Sequence, residues 1–196
     1  MYTTKLKNPS LRNRTISFKK KLNQVCCCNN FIQRMRLTPL GAHRGQLGNV
    51  ERHNYGLALL NNDNINIYMN AGVCHDAVAY TRYMLGANIT PNNLVNNVGQ
   101  AWLPSFNYQN GQQWQGNNIP AGRAVGFRDL NNNVFFHSSI SLDGGTTVRG
   151  INGQGLGDGW QRAYDCNLGV ELIPNNNIYH MRNRGRGPID VWISNL

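Results

Sequence analysis

Acidic residues are scarce in this chain: nine Asp and Glu stand against nineteen Lys and Arg in 196 residues, and none occurs before residue 51. Lysine, conversely, is absent after residue 50. Residues 1–50 carry ten basic side chains and no acid, while residues 51–196 carry nine arginines and all nine acids, a formal balance of 9 − 9 = 0. The net charge of +10 and the pI of 9.8 therefore describe a basic arm on a neutral body. A fold that grips nucleic acid ordinarily carries its positive charge on the folded surface. The neutral body argues against such a fold, and leaves RNA or DNA binding only to the arm.

Other absences narrow the class further. No apolar run approaches the length of a membrane span, and the N-terminus lacks the apolar centre of a secretory signal. Export would need another route or a larger parent chain. There are five cysteines, of which Cys26, Cys27 and Cys28 are consecutive and awkward to bridge. Cys74 and Cys166 could pair, but one thiol is left over in any case, so a reducing site of action is the economical expectation. No CxxC or HxxxH spacing occurs, which argues against a zinc site built from Cys74, His75, His137 and Cys166. No metal and no cofactor is expected. "INGQGLGDG", residues 151–159, lacks the strand–loop–helix setting and the lysine of a phosphate loop, and reads as a flexible rim. Arg182, Arg184 and Arg186 in "RNRGRG" read as a solvated turn or a hold for an acidic partner.

Asparagine is abundant, with about thirty copies, many in runs such as Asn131-Asn132-Asn133. It favours turns and caps, although AT-rich coding DNA would explain it equally well. Hydrophobic content of 40% and 18 aromatic residues (6 Phe, 8 Tyr, 4 Trp) suffice for a core. The length fits one domain with an appendage, here an arm over 1–45 and a body over 46–196.

Within the arm, Phe18, Leu22, Val25, Cys26 and Cys28 recur at spacings of three and four among basic residues. That is the pattern of an amphipathic helix suited to an acidic membrane surface, and cysteines beside Lys and Arg suit palmitoylation. A solvated arm is the plainer alternative. In the body, residues 72–85 predict a helix with an apolar stripe of Val73, Ala77, Thr81 and Met84 or Leu85, capped by Asn70 or Gly72 and ended by Gly86. Residues 104–120 show no period and read as a long loop, either a lid or pinned by Phe106, Tyr108 and Trp114. From 121 the period becomes two: "AVGFRDL", "VFFHSSISL" and "TTVRGI" predict strands, with "NNN" and "DGG" as turns. "LGVELI", "NIYHM" and "IDVWI" are later candidates. Helix first and antiparallel sheet after is an α+β order.

"NAGVCHDAVAYTRYML" sets a cysteine, a histidine and an aspartate side by side. Neighbouring helix residues point about 100° apart, so Cys74, His75 and Asp76 cannot converge on one atom. Asp76 in a first turn suits the helix dipole, and His75 reads as a surface residue. Cys74 in the first turn would meet unpaired N–H groups that favour a thiolate and can stabilise an oxyanion. A buried inert thiol is its plain alternative. His137 is expected on the polar face of its strand with Ser139 and Ser141, opposite Phe136, Ile140 and Leu142. A base on a rigid strand facing a helix-borne thiol is what thiolate chemistry needs.

With these residues in view, "AGVCHDAVAYTRYML" resembles the Cys-bearing helix, and "AVGFRDLNNNVFFHSSISLDGGTTVRGI" the His-bearing strand pair, of the papain-like cysteine hydrolases. The likeness is to their circularly shuffled bacterial form: the NlpC/P60 and CHAP amidases and the papain-fold domains of bacterial toxins and effectors. It covers about residues 50–155 and rests on pattern and order. It implies a papain-like α+β fold and a monomeric amide hydrolase acting on a protein, peptide or peptidoglycan substrate as thiol protease, deamidase or amidase. Cys74 would be nucleophile, His137 base and then acid, with a third polar residue orienting the imidazole. A secreted bacterial toxin or effector acting inside another cell is the implied context. Val73 and His75 flank Cys74 where NlpC/P60 has Asp and Ser, a departure that weakens the peptidoglycan reading. For the third residue, a two-residue Gly144-Gly145 loop puts Asn152 across from His137 but turns Arg149 coreward. A three-residue loop puts Val148 beside Ile140 and leaves Asp158 as the substitute. Asn70 and Tyr68 are the candidate oxyanion donors.

Overall fold

The computed structural model describes residues 49–61, 72–151, 156, 160, 165–182 and 187–195. The basic arm, Tyr68, Asn70, Asn152, Asp158, Arg184 and Arg186 lie outside them. Two helices, α1 (Asn49–Leu60) and α2 (Cys74–Met84), precede the short α3 (Pro91–Asn96), a 3-10 turn at Gly99–Trp102, α4 (Leu103–Phe106) and a 3-10 turn at Tyr108–Asn110. An eight-stranded antiparallel sheet follows: β1 (Gln112–Gln113), β2 (Ala124–Asp129), β3 (Val134–Ser141), β4 (Thr147–Arg149), β5 (Cys166–Asn167), β6 (Leu172–Asn175), β7 (Ile178–Met181) and β8 (Ile189–Ile193). Its order is β5-β4-β3-β2-β8-β7-β6, with β1 also on β8. The architecture is thus α+β. Where a strand was expected over 168–173, the chain first turns through α5 (Leu168–Glu171) and only then enters β6.

α2 forms where its sequence predicts, but its cap differs. Val73, not Asn70 or Gly72, is the N-cap, and Asp76 in the first turn accepts the Val73 N–H at 2.8 Å. At the other end Gly86 takes φ +98°, while Gly86 and Ala87 donate to Tyr83 and Arg82 carbonyls. That is the pattern of a helix closed by a left-handed residue. Every residue of α2 is buried, so the single expected stripe is corrected to burial all round. Its core cluster draws Leu59 from α1, Trp102, Phe106 and Tyr108 from the connecting turns, and Ala124, Phe135 and Ile140 from the sheet.

A second cluster lies on the other face of the sheet, from Val125, Phe127, Phe136, Val148, Cys166, Val191 and Ile193 with Trp114 and Tyr179. The long stretch over 104–120 is pinned rather than loose, since Phe106, Tyr108, Trp114 and Ile119 are buried. Tyr179 Oη donates to the Trp114 carbonyl at 3.1 Å and their rings sit 5.2 Å apart. Asparagine finds a physical use too: among the described residues, the four non-glycine positions with positive φ are Asn107, Asn133, Asn176 and Asn177, a side chain that tolerates that region.

Ile140 lies opposite Arg149 and Ser141 opposite Val148, the register of the two-residue Gly144-Gly145 loop. Arg149 accordingly turns coreward. It holds Asp165 through Nε (2.8 Å) and Nη2 (2.7 Å) and donates from Nη1 to the Leu59 and Leu60 carbonyls that end α1. A guanidinium paired with a carboxylate and making four hydrogen bonds offsets much of its own desolvation.

The face of β2 towards α2 is kept small by Ala124 and Gly126. A Cβ at Gly126 would stand 2.5 Å from the Tyr108 ring. Gly126→Ala should destabilise the fold by about 1–3 kcal/mol through overpacking, read as a lower urea midpoint at unchanged m-value.

Candidate functional site

The N-terminal turn of α2 meets the middle of β3. His75, expected at the surface, is 1% exposed, and its Nδ1 lies 2.7 Å from Ser138 Oγ. Ser138 Oγ in turn lies 2.8 Å from Tyr108 Oη. His75, Ser138 and Tyr108 thus form a buried chain joining α2, β3 and the turn after α4. His75 Nε2 has no hydrogen-bond partner among the described residues. A single hydrogen bond nets about 1 kcal/mol, far less than the cost of burying an imidazolium. Neutral histidine wins, and burial pushes the His75 pKa from 6.5 to about 4. Burial also raises the Tyr108 pKa, partly opposed by its bond to Ser138.

Asp76 does more than complement a dipole. Besides Val73 it accepts the Gly99 N–H at 2.8 Å and the Trp102 Nε1–H at 3.0 Å. Burial raises its pKa, and those three donors lower it. The carboxylate is a structural clamp, which agrees with the expectation that the contiguous triplet is no triad.

Cys74 takes the first position of α2, as expected, but it is 0% exposed within the first cluster. His137 is placed differently from expectation. Residues directly opposite in an antiparallel pair share a face. His137 lies opposite Phe127 and Ser139 opposite Val125, both members of the second cluster. Ser138, opposite Gly126, and Ile140, opposite Ala124, hold the face that α2 covers. By register, His137 therefore points to the face away from the one that α2, with Cys74, covers.

The cause is local. The β2–β3 register shifts between Phe127 and Arg128, which sets Phe136 between the paired positions His137 and Phe135. Phe136 and His137 both lean on Phe127, with ring centroids 6.5 Å and 5.4 Å away. The expected grouping of Phe136 with Ile140 is corrected by this bulge. The expected polar face is itself buried: His137 is 3% exposed and Ser139 0%, and His137 Nε2 lies 3.0 Å from Ser139 Oγ. Tyr68, Asn70, Asn152 and Asp158 lie outside the described residues.

Cys166 is a free, buried thiol of the second cluster, and burial first, then Glu171 and Asp165, push its pKa to about 12. Cys74 likewise forms no disulfide with a described residue. No group of three or more His, Cys, Asp and Glu that could hold a metal occurs among the described residues. Arg182 is exposed and donates to the Val170 carbonyl at 2.8 Å. The buried chain through Ser138 was not foreseen. Its only trace in the sequence is the serine flanked by small and apolar residues on the helix-facing side of β3.

His75 gives a pH dependence whose sign is fixed. With the folded pKa near 4 and the unfolded value at 6.5, the unfolded chain binds the extra proton in that interval. Stability from this group is present above 6.5 and lost as pH falls towards 4, by up to about 3 kcal/mol. Asp76, whose folded pKa is raised, contributes in the opposite sense, stability being lost as pH rises through its folded value. The diagnostic is therefore a difference: urea melts from pH 7 to about 4 should fall more steeply for wild type than for His75→Gln. No protein-family model matches the chain and no curated protein matches its sequence, so its chemistry is read from these side chains alone.

Proposed function

We propose that the chain is a non-enzymatic binding module, brought to an acidic membrane surface by its basic arm. The observation that carries this reading is the segregation of charge: ten Lys and Arg with no acid before residue 51, on a body of formal zero charge. Each basic residue near an anionic leaflet contributes about 1 kcal/mol, so ten need no built pocket. The apolar residues Phe18, Leu22 and Val25 at helical spacing would favour a bilayer over a purely ionic polymer. The placement of Cys74 and His137 supports a body without thiol catalysis.

Two measurements test it. Full-length protein should sediment with vesicles containing phosphatidylserine, not with neutral ones. It should be released in about 1 M salt, where the Debye length is ~3 Å. Replacing Lys19, Lys20 and Lys21 by Gln should weaken binding, and tighter binding to RNA or DNA than to vesicles would overturn the membrane assignment. Iodoacetamide at mildly acidic pH, read peptide by peptide, should leave Cys74 unmodified until the fold is melted, because a sealed thiol does not react.

A second reading has one observation in its favour, the seat of Cys74 at the first position of α2. It is a cysteine-dependent amide hydrolase of papain-like form, with Cys74, His137 and Asn152 or Asp158 as its residues, and it requires His137 to reach the opposite face. Rapid alkylation of Cys74 in the folded protein, with amidase or protease activity lost in Cys74→Ala, would establish it over the first.

A further inference from the structure

α1 is held to the body along one side. A Cβ at Gly56 would stand 2.8 Å from the Leu85 side chain and 2.9 Å from the Met84 backbone, so the two helices nearly touch there. Leu59 is fully buried, and the Arg52 guanidinium lies 4.8 Å from the centre of the Tyr83 ring. Successive helix residues turn by about 100°, so these contacts fix which side faces outward. The outward stripe runs through Val50, Asn54, Leu57 and Asn61, all of them exposed.

Surface helices ordinarily set charged residues on that side, and here the stripe has none. Glu51 and His53 are exposed at its margins, while Arg52, the one arginine of the helix, is turned inward. Val50 is 77% exposed and Leu57 41%, two of the five large apolar residues left exposed among the described residues. They stand two turns apart, about 10 Å along the axis.

What covers the stripe follows from where the chain leads. α1 begins at Asn49, directly after the basic segment. Arg44 is separated from Val50 by at most about 20 Å of extended chain, so a surface that holds the arm lies within reach of the stripe. The stripe offers no carboxylate to draw the basic arm back onto itself. Nor does it carry a negative charge that an anionic leaflet would repel. Apolar side chains on one face of an otherwise polar helix sink into the boundary between headgroups and acyl chains.

We propose that the outward face of α1, formed by Val50, Asn54, Leu57 and Asn61, is the surface on which the body docks to an anionic bilayer. The proposal rests on the membrane reading of the arm and adds an orientation to it: the arm supplies charge, α1 lies along the interface, and α2 stands on the side of α1 away from lipid.

Sedimentation of the full chain with vesicles of phosphatidylcholine and phosphatidylserine tests it. Val50→Gln with Leu57→Gln, residues that keep helix propensity, should lower the partition constant about tenfold through the loss of two shallowly buried apolar side chains. Its Tm should match wild type. Val170→Gln with Ile173→Gln, the exposed apolar pair of α5 and β6, should leave partitioning unchanged. Leu57→Trp should bind at least as tightly, and brominated lipid should quench the fluorescence that this substitution adds. If the α1 pair variant binds as wild type does, or if that fluorescence is not quenched, the docking face is overturned and the arm reading stands. If wild type does not sediment with anionic vesicles, both fall. Tighter binding by the α1 pair variant would assign the stripe to the arm, and a lipid-free dimer lost in that variant would assign it to a second copy. Either result overturns the proposal. Should the pair variant fail to fold, the quenching of Leu57→Trp decides.

Discussion

A helix buried on every side needs partners for the polar groups it carries, and four side chains of α2 show theirs. Asp76 is met by the backbone of Gly99 and the indole of Trp102, His75 by Ser138, Thr81 by the Ala77 carbonyl of its own helix, and Arg82 by Ser194. A buried polar group left unmade costs about 1–3 kcal/mol, and a charged one more. Three of these partners come from different parts of the chain: the turns after α3, the centre of the sheet and the end of β8. The helix therefore fixes where each of those segments lies. Small residues make the approach possible, with Gly126 beneath the Tyr108 ring and Gly56 of α1 against Leu85.

This dependence also explains what the sequence reveals and what it conceals. β2, β3 and β8 are legible because alternation at period two survives in "AVGFRD", "VFFHSSIS" and "IDVWI", and the turn residues between them carry their own signals. The existence of α2 is legible from spacing and from Gly86. Its burial is not, because "CHDAVAYTRYM" alternates polar and apolar groups as a surface helix would. Only partners 63 and 112 residues distant convert His75 and Arg82 into interior residues. The coreward turn of Arg149 is a similar case. The register that requires it is visible in the Gly144-Gly145 loop, while the side chain that makes it tolerable, Asp165, lies outside that hairpin.

The candidate site was the least legible part, and a single residue accounts for it. Strand alternation sorts His137 with Ser139 and Ser141, and the structure keeps that grouping. Alternation cannot say which face the neighbouring helix covers. Here the helix covers the face of Ser138 and Ile140, and the bulge at Phe136 adds one more aromatic ring to the face of His137. The thiol and the imidazole stand on the expected elements, α2 and β3, and the register turns the imidazole towards the face of Phe127.

No rotamer change repairs that separation. Bringing His137 to the face of Cys74 needs β3 to slip by one residue, and such a slip turns every side chain of the strand over. Ser138 would leave His75 and Tyr108, stranding two buried polar groups at about 1–3 kcal/mol each. Ile140 would leave the first cluster, a loss comparable to truncating a core side chain, about 2–5 kcal/mol. β2, held on its other side by five paired positions with β8, gives no slack to share the shift. Set against a total stability of about 5–15 kcal/mol for an ordinary domain, the rearranged state would compete with unfolding.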